Sequence, residues 1–277
     1  SYLVLIYSLY LVLNLNQLTM KKLLSILFLF LFVASINAQV GQSRLLEVKE
    51  GQMEKFVNGV SKKTKMFNDS EGSDKVFTFQ ILTGANAQDF IRVRWMESLT
   101  DLDNPVDSDE LAYWNKNVRP YYTEGAARIW SRNANLSYTP EGSDSADLRR
   151  VIYYNYKDSG EQDFWRFRQR VRKAMEESGY GSAMNVLWCA SGCNGNWVQV
   201  RFHHDGYAGQ DSDYGEPLQA MIEKYNELYG NDAYEQDGNK VDESLMPEGR
   251  RIRHLMLRRD MSSSCLLYTS PSPRDRG

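Results

Sequence analysis

Ile91-Arg92-Val93-Arg94-Trp95 reads as a strand, and it returns as Val198-Gln199-Val200-Arg201-Phe202, displaced by 107 positions from Val93 to Val200. Lys49-Glu50-Gly51 returns as Lys157-Asp158-Ser159-Gly160, displaced by 108 at the lysine. Two matches at nearly one offset indicate an internal duplication, which constrains a fold before any motif does. Working outward, the first half reads as strand 43–49, helix 52–67, strands 75–83 and 89–97, helix 108–122 and strand 127–137. The second reads as strand 149–157, helix 161–178, strands 182–190 and 196–204, helix 216–229 and strand 250–258. Each half is β-α-β-β-α-β.

The helices follow from periodicity near 3.6 residues. Met53, Phe56, Val57, Val60 and Phe67 share one stripe, with Lys62, Lys63 and Lys65 largely off it. Phe164, Phe167, Val171, Ala174 and Met175 repeat the pattern, and Gly179 is placed to close that helix. Leu218, Met221, Ile222, Tyr225 and Leu228 form a third stripe between Pro217 and Gly230. Its first-half counterpart has Leu111, Trp114, Val118 and Tyr121, with Pro120 expected to kink or end it. The strands rest on alternation, as in Val76, Thr78 and Gln80 against Phe77, Phe79 and Ile81.

The fold class is therefore α+β, with two ferredoxin-like repeats at 39–146 and 147–261. Each repeat leaves one sheet face open, and packing the two faces together as an α/β barrel buries both. At this point the chain resembles the dimeric α/β-barrel superfamily in its fused, tandem form, through element order and the Val-Arg-aromatic match. The resemblance implies a choice among cofactor-free monooxygenases, haem proteins of the chlorite-dismutase type and modules without chemistry. Haem in that branch needs a proximal histidine on a helix, and none of the 3 histidines falls on a predicted one. No cofactor is expected on these grounds, with haem the one that the resemblance leaves open.

Met20-Lys21-Lys22, an apolar run from Leu23 to Ala34 and Ala38 before Gln39 have the order of a secretory signal peptide, at 20–38. Residues 1–19 then read as upstream translation. An anchor through 1–36 is interrupted by Asn14, Asn16, Gln17, Lys21 and Lys22. Residues 262–277 lack an apolar period, and Cys265 to Asp275 resembles translated adapter sequence, so the whole stretch is expected to be a tail outside the fold. The mature chain is expected to be secreted or periplasmic, without a membrane anchor after cleavage, as monomer or homodimer. With 33 Lys and Arg against 36 Asp and Glu, and no basic block, the chain is a poor ligand for nucleic acid. Six Trp, 17 Tyr and 11 Phe provide a bulky core and material for pocket walls.

Few residues point to chemistry. His203 and His204 are neighbours on a strand, so they face opposite ways and cannot chelate one metal; strand exposure is the expected reading for both. His254, with Ile252 and Met256 on its side of the last strand, is expected to pack inward, as a hydrogen-bonded neutral imidazole or as the proton-transfer residue of an enzyme. Cys189 and Cys193 bracket a hairpin turn, and in an exported protein such a pair reads as a disulfide rather than a metal site. Arg94 and Arg201 take equivalent places under the 107 displacement; inside a barrel they would form a cationic pair, though alternation with Val and aromatics favours a solvated face. The run Arg166, Arg168, Arg170, Arg172, Lys173 reads as a solvated helix surface. Tyr153, Tyr154, Tyr156 and Trp188, with Trp95 and Trp130, are the candidate walls of a pocket. Two functions follow: an exported barrel that binds a small, partly apolar ligand, or a cofactor-independent monooxygenase-like enzyme using His254 or a tyrosine. A scaffold without a pocket is the remaining reading, since aromatics also simply fill cores.

Overall fold

The computed structural model describes residues 39–264, apart from 71, 144 and 145. The expected leader, the upstream stretch before it and residues 265–277 of the expected tail lie outside the described residues. In chain order the elements are β1 (Val40–Val48), α1 (Met53–Phe67), β2 (Lys75–Ile81), β3 (Phe90–Met96), α2 (Ser108–Asn117) and β4 (Tyr122–Arg132). The second half follows with β5 (Leu148–Tyr156), α3 (Glu161–Ser178), β6 (Met184–Ser191), β7 (Asn196–His204), α4 (Gly206–Asp213), α5 (Glu216–Tyr229), α6 (Ala233–Ser244) and β8 (Leu245–Leu257).

The eight strands close into one barrel in the order β1-β3-β2-β8-β5-β7-β6-β4. Within each half the spatial order is fourth, first, third, second, which is the ferredoxin-like order. The halves meet at two antiparallel seams, β2 against β8 and β4 against β6. Closure leaves no strand edge unpaired, which removes the usual route to edge-on aggregation. The helices cover the outside. Phe56 and Val60 of α1 pack with Leu46, Phe90 and Val118, while Phe164, Phe167, Val171 and Met175 of α3 pack with Tyr154, Tyr156 and Val200. Among the described residues no helix is long and apolar enough to cross a membrane.

The register fixes which displacement is structural. Ser43 pairs with Val93 across β1 and β3, and Val151 pairs with Arg201 across β5 and β7. Both partners are related by 108, as are Lys49 and Lys157, which donate through Nζ to the carbonyls of Pro120 and Glu243 at 2.8 Å each. The 107 displacement is thus one residue out of register, and a slip of one turns every side chain to the other face. Val93, not Arg94, is the counterpart of Arg201.

Three further expectations are corrected. The helix expected over 108–122 ends at Asn117; Pro120 lies in a 3-10 turn, and β4 starts at Tyr122 rather than 127. β8 starts at Leu245, five residues before the expected strand, with a bulge between Tyr154 and Tyr156 on its partner. Gly249 is required beside that bulge, because a Cβ there would lie 2.6 Å from the carbonyl oxygens of Asn155 and Met246. Ser262 to Ser264 belong to the fold. The Ser262 and Ser263 hydroxyls accept hydrogen bonds from the backbone of Thr78 and Val76 at 2.9 and 3.0 Å along β2.

Candidate functional site

Between the two sheets lies a cavity of about 350 Å³. Its walls are built from rows of inward residues set by the pairing of three strands in each half. In the second half, β7, β5 and β8 present Arg201, Val151 and Arg253 in one row and Gln199, Tyr153 and Arg251 in the next. In the first half, β3, β1 and β4 present Val93, Ser43 and Arg128 in the corresponding row. Phe79, Leu45, Ile91 and Leu255 complete an apolar stretch of wall, and the β6–β7 turn contributes Gly192, Cys193 and Asn194. Cys189 and Cys193 form a disulfide across that turn.

Five arginines line the cavity, at 128, 149, 201, 251 and 253, and no Asp or Glu lines it with them. Arg201 is 9% exposed. Its Nε donates to Gln199 Oε1 at 2.8 Å, and its guanidinium lies 5.9 Å from the Trp95 ring centre. Burial lowers its pKa, opposed by the Tyr153 hydroxyl. Among the described residues, Arg128, Arg201, Arg251 and Arg253 have no carboxylate within ion-pair distance. The Arg253 guanidinium lies 5.9 Å from the Tyr153 ring and that of Arg251 lies 5.3 Å from Trp197. Burial pushes the Tyr153 hydroxyl pKa up, and Arg201, Arg253 and Arg128 pull it back. Trp130 closes against Tyr153, ring centres 6.4 Å apart, and donates through Nε1 to Ser43 Oγ at 3.1 Å. Such an arrangement holds a strong positive potential in a low-dielectric space.

The residues singled out from sequence divide between the two sides of the sheet. Trp130, Arg201 and Tyr153 line the cavity, and Trp95 faces inward beside them, over Gly41 and Arg201. Arg94 faces the helices instead, where its Nε pairs with Asp74 at 2.8 Å. Tyr154 and Tyr156 are buried beneath α3, Tyr154 edge-on to Phe164 and Tyr156 stacked on it. Trp188 is 43% exposed and pairs with Val198, away from the cavity wall. His254 is on the outer face, not inside: Nε2 lies 2.8 Å from Gln210 Oε1, and Tyr207 packs on the ring. The reason is again register, since Arg251, Arg253 and Leu255 take the inward positions of β8.

Neither His203 nor His204 is solvated, contrary to expectation. His203 shares the inward face of β7 with Arg201; Nε2 lies 2.9 Å from Asn185 Nδ2, and burial, then Arg149 and Arg201, hold its pKa well below the histidine range. His204 is 1% exposed on the other face, its Nδ1 2.6 Å from Asp213 Oδ2 at the end of α4. Sequence reasoning missed Arg128, Arg149, Arg251 and Arg253. The i, i+2, i+4 spacing of Arg251, Arg253 and Leu255 was the available signal, but the apolar face of a strand is ordinarily taken as the inner one.

A second cavity of about 420 Å³ lies outside the second sheet, under α3, α5 and α6. Tyr154, Tyr180, Tyr214 and Tyr234 line it with Arg150, Arg168 and Arg250. No histidine or cysteine lines it, and burial raises the pKa of the Tyr180, Tyr214 and Tyr234 hydroxyls, which disfavours tyrosinate. Of the side chains that ligate haem iron, His, Cys, Met or tyrosinate, the cavity offers methionine, at Met175 and Met221. Among the described residues there is no group of three or more His, Cys, Asp or Glu able to hold a metal ion.

No family model matches the chain, and no curated protein matches it. Solved structures do. A candidate monooxygenase from Lactobacillus acidophilus aligns with a TM-score of 0.55 at 12% identity, over 82% of this chain and 96% of its own. An anthrone oxidase-like protein aligns at 0.52 and 12%, over 81% and 93%. A variant of chlorite dismutase from Candidatus Nitrospira defluvii aligns at 0.51 and 10%, over 80% and 92%. At such identities the likeness is one of architecture, and fold does not fix function. The chain has the fold of the dimeric α/β-barrel proteins, with both ferredoxin-like units in one polypeptide.

Proposed function

We propose that the protein is an exported binding protein that holds a small, partly apolar molecule in the cavity between its sheets. The observation that carries this reading is the cavity itself, about 350 Å³ with walls from both repeats and large rings at Trp130, Tyr153 and Trp197. A space of that size suits a small organic molecule. Export is supported by the leader-like order of residues 20–38 and by the Cys189–Cys193 bridge, of a kind common in oxidising compartments and rare in reducing ones. The reading is tested by thermal-shift screening of the full chain and of Ala126→Trp, which places a bulky ring on the exposed part of the cavity wall. At least one partly apolar compound should raise the melting temperature of the parent and not of the variant. Compounds that stabilise both alike would place binding elsewhere and defeat the reading.

A cofactor-independent oxygenase-like activity is the second reading. One observation favours it: the Tyr153 hydroxyl faces the cavity without a protein hydrogen-bond partner among the described residues, so it is free to exchange a proton with a bound molecule. Under this reading Tyr153→Phe abolishes turnover, by a hundredfold or so, with binding retained.

A further inference from the structure

We propose that the cavity between the sheets takes an amphipathic organic anion, with an oxyanion held between Arg201 and Arg253 and an apolar ring system against the first repeat. The proposal rests on the cavity being the ligand site and adds the chemical class of the ligand.

Position by position, the two repeats have diverged into unlike walls. The row that reads Val93, Ser43, Arg128 in the first half reads Arg201, Val151, Arg253 in the second. Four of the five cavity arginines come from the second repeat, whereas Leu45, Phe79, Ile91 and Val93 face them from the first. A ligand that satisfies both walls has one charged end and one apolar end.

The charge must be negative. Arg201 is nine-tenths buried, and among the described residues its one hydrogen-bond acceptor is the neutral amide of Gln199. A buried guanidinium in that state is costly, and an oxyanion supplies the missing acceptors in the geometry that a guanidinium favours. Arg201 and Arg253 flank Val151 on adjacent strands, so their Cα atoms are about 10 Å apart, twice the strand spacing, and the long side chains can converge on one group. The Tyr153 hydroxyl sits in the next row, free to donate to the same oxyanion. Arg128 and Arg251 are exposed at the cavity wall, which extends the positive potential outward and steers anions in.

The test is isothermal titration of the full chain with 1-naphthoate, 1-naphthyl phosphate, 1-naphthamide and acetate. Naphthoate or the phosphate ester should bind at least tenfold more tightly than the amide, and acetate should not bind measurably; the preferred member of the first pair tells carboxylate from phosphate. Raising the salt from 0.05 to 0.5 M (round values spanning a severalfold change in screening length) should weaken the anions and leave the amide unchanged. Arg201→Gln and Arg253→Gln should each cost the anion at least tenfold and spare the amide, which also shows that the variants are folded. If acid and amide bind equally, the anion proposal falls while the cavity reading survives. If none of the four binds, both fall.

Discussion

Arg201 is held in place by neighbours that do not neutralise it, and that fixes what its replacement should do. In Arg201→Met a flexible apolar chain occupies the same space and removes a desolvated charge. The variant should be more stable than the parent without ligand, by about 1–4 kcal/mol, because replacing buried charge with packed apolar side chains is often stabilising. Urea unfolding measures this, and a clear loss of stability would mean that the guanidinium has a structural role instead. Lys63 offers a second residue-scale test. Its Nζ is buried against Asn68 Oδ1 at 2.7 Å and against Glu110, and burial, then the neighbouring Arg92, lowers its pKa to about 8. An unfolded lysine still binds its proton between that value and its ordinary 10.5, so stability should rise with pH through this window. Relative to Lys63→Met, the parent should gain up to about 3 kcal/mol from pH 8 to 10.5. Parallel stability profiles for the two proteins would contradict the assignment.

At the scale of elements, the run of basic residues on α3 is not the solvated face that the sequence suggests. Arg166 and Arg170 reach Asp237 of α6 at 3.2 and 2.6 Å, and the Tyr225 hydroxyl of α5 donates to the same carboxylate at 2.6 Å. Arg168 lies flat over Phe167, 4.6 Å from its ring centre. Burial works against the Asp237 charge, yet Tyr225, Arg170 and Arg166 hold its pKa below the usual carboxylate range. A depressed carboxylate pKa contributes stability above its unfolded value and loses it as pH falls through the folded one. Asp237→Ala should therefore cost about 1–3 kcal/mol near neutrality, with faster hydrogen exchange confined to α6, and should flatten the acid limb of the stability profile below about pH 4. Uniformly faster exchange across the barrel would show that α6 is not an independently docked element. The Cys189–Cys193 hairpin carries its own expectation: thiol labelling of the exported protein, unfolded without reductant, should modify neither cysteine. Recovery of both as free thiols would remove the bridge as support for export.

Element order was legible because apolar periodicity survives on the faces that meet the helices; α3, β7 and α5 have the bounds expected from it. α4 and α6 were not legible. α6 carries only Ala233, Tyr234 and Val241 as apolar residues and docks through a carboxylate, so no stripe marks it. The interior face escaped for the opposite reason: a strand whose inward residues are Arg251, Arg253 and Leu255 defeats the rule that the greasier side is buried.

The whole molecule joins two copies of one unit that have taken different tasks. Both sheets give their inner faces to one closed space, and closure in a single chain frees the two walls to diverge, one apolar and one cationic. The outer cavity of the second half, with its high-pKa tyrosines, has a smaller counterpart of about 130 Å³ in the first, where Gln42, Arg44, Leu46 and Arg94 stand in place of Arg150, Ile152, Tyr154 and Phe202. The most direct measurement is native mass spectrometry of the exported full-length product, purified without denaturation, beside Ala126→Trp made in the same way. The account predicts one retained small molecule per parent chain, anionic once released, and none on the variant. An equal retained mass on both proteins, or a released molecule that is cationic, would contradict it.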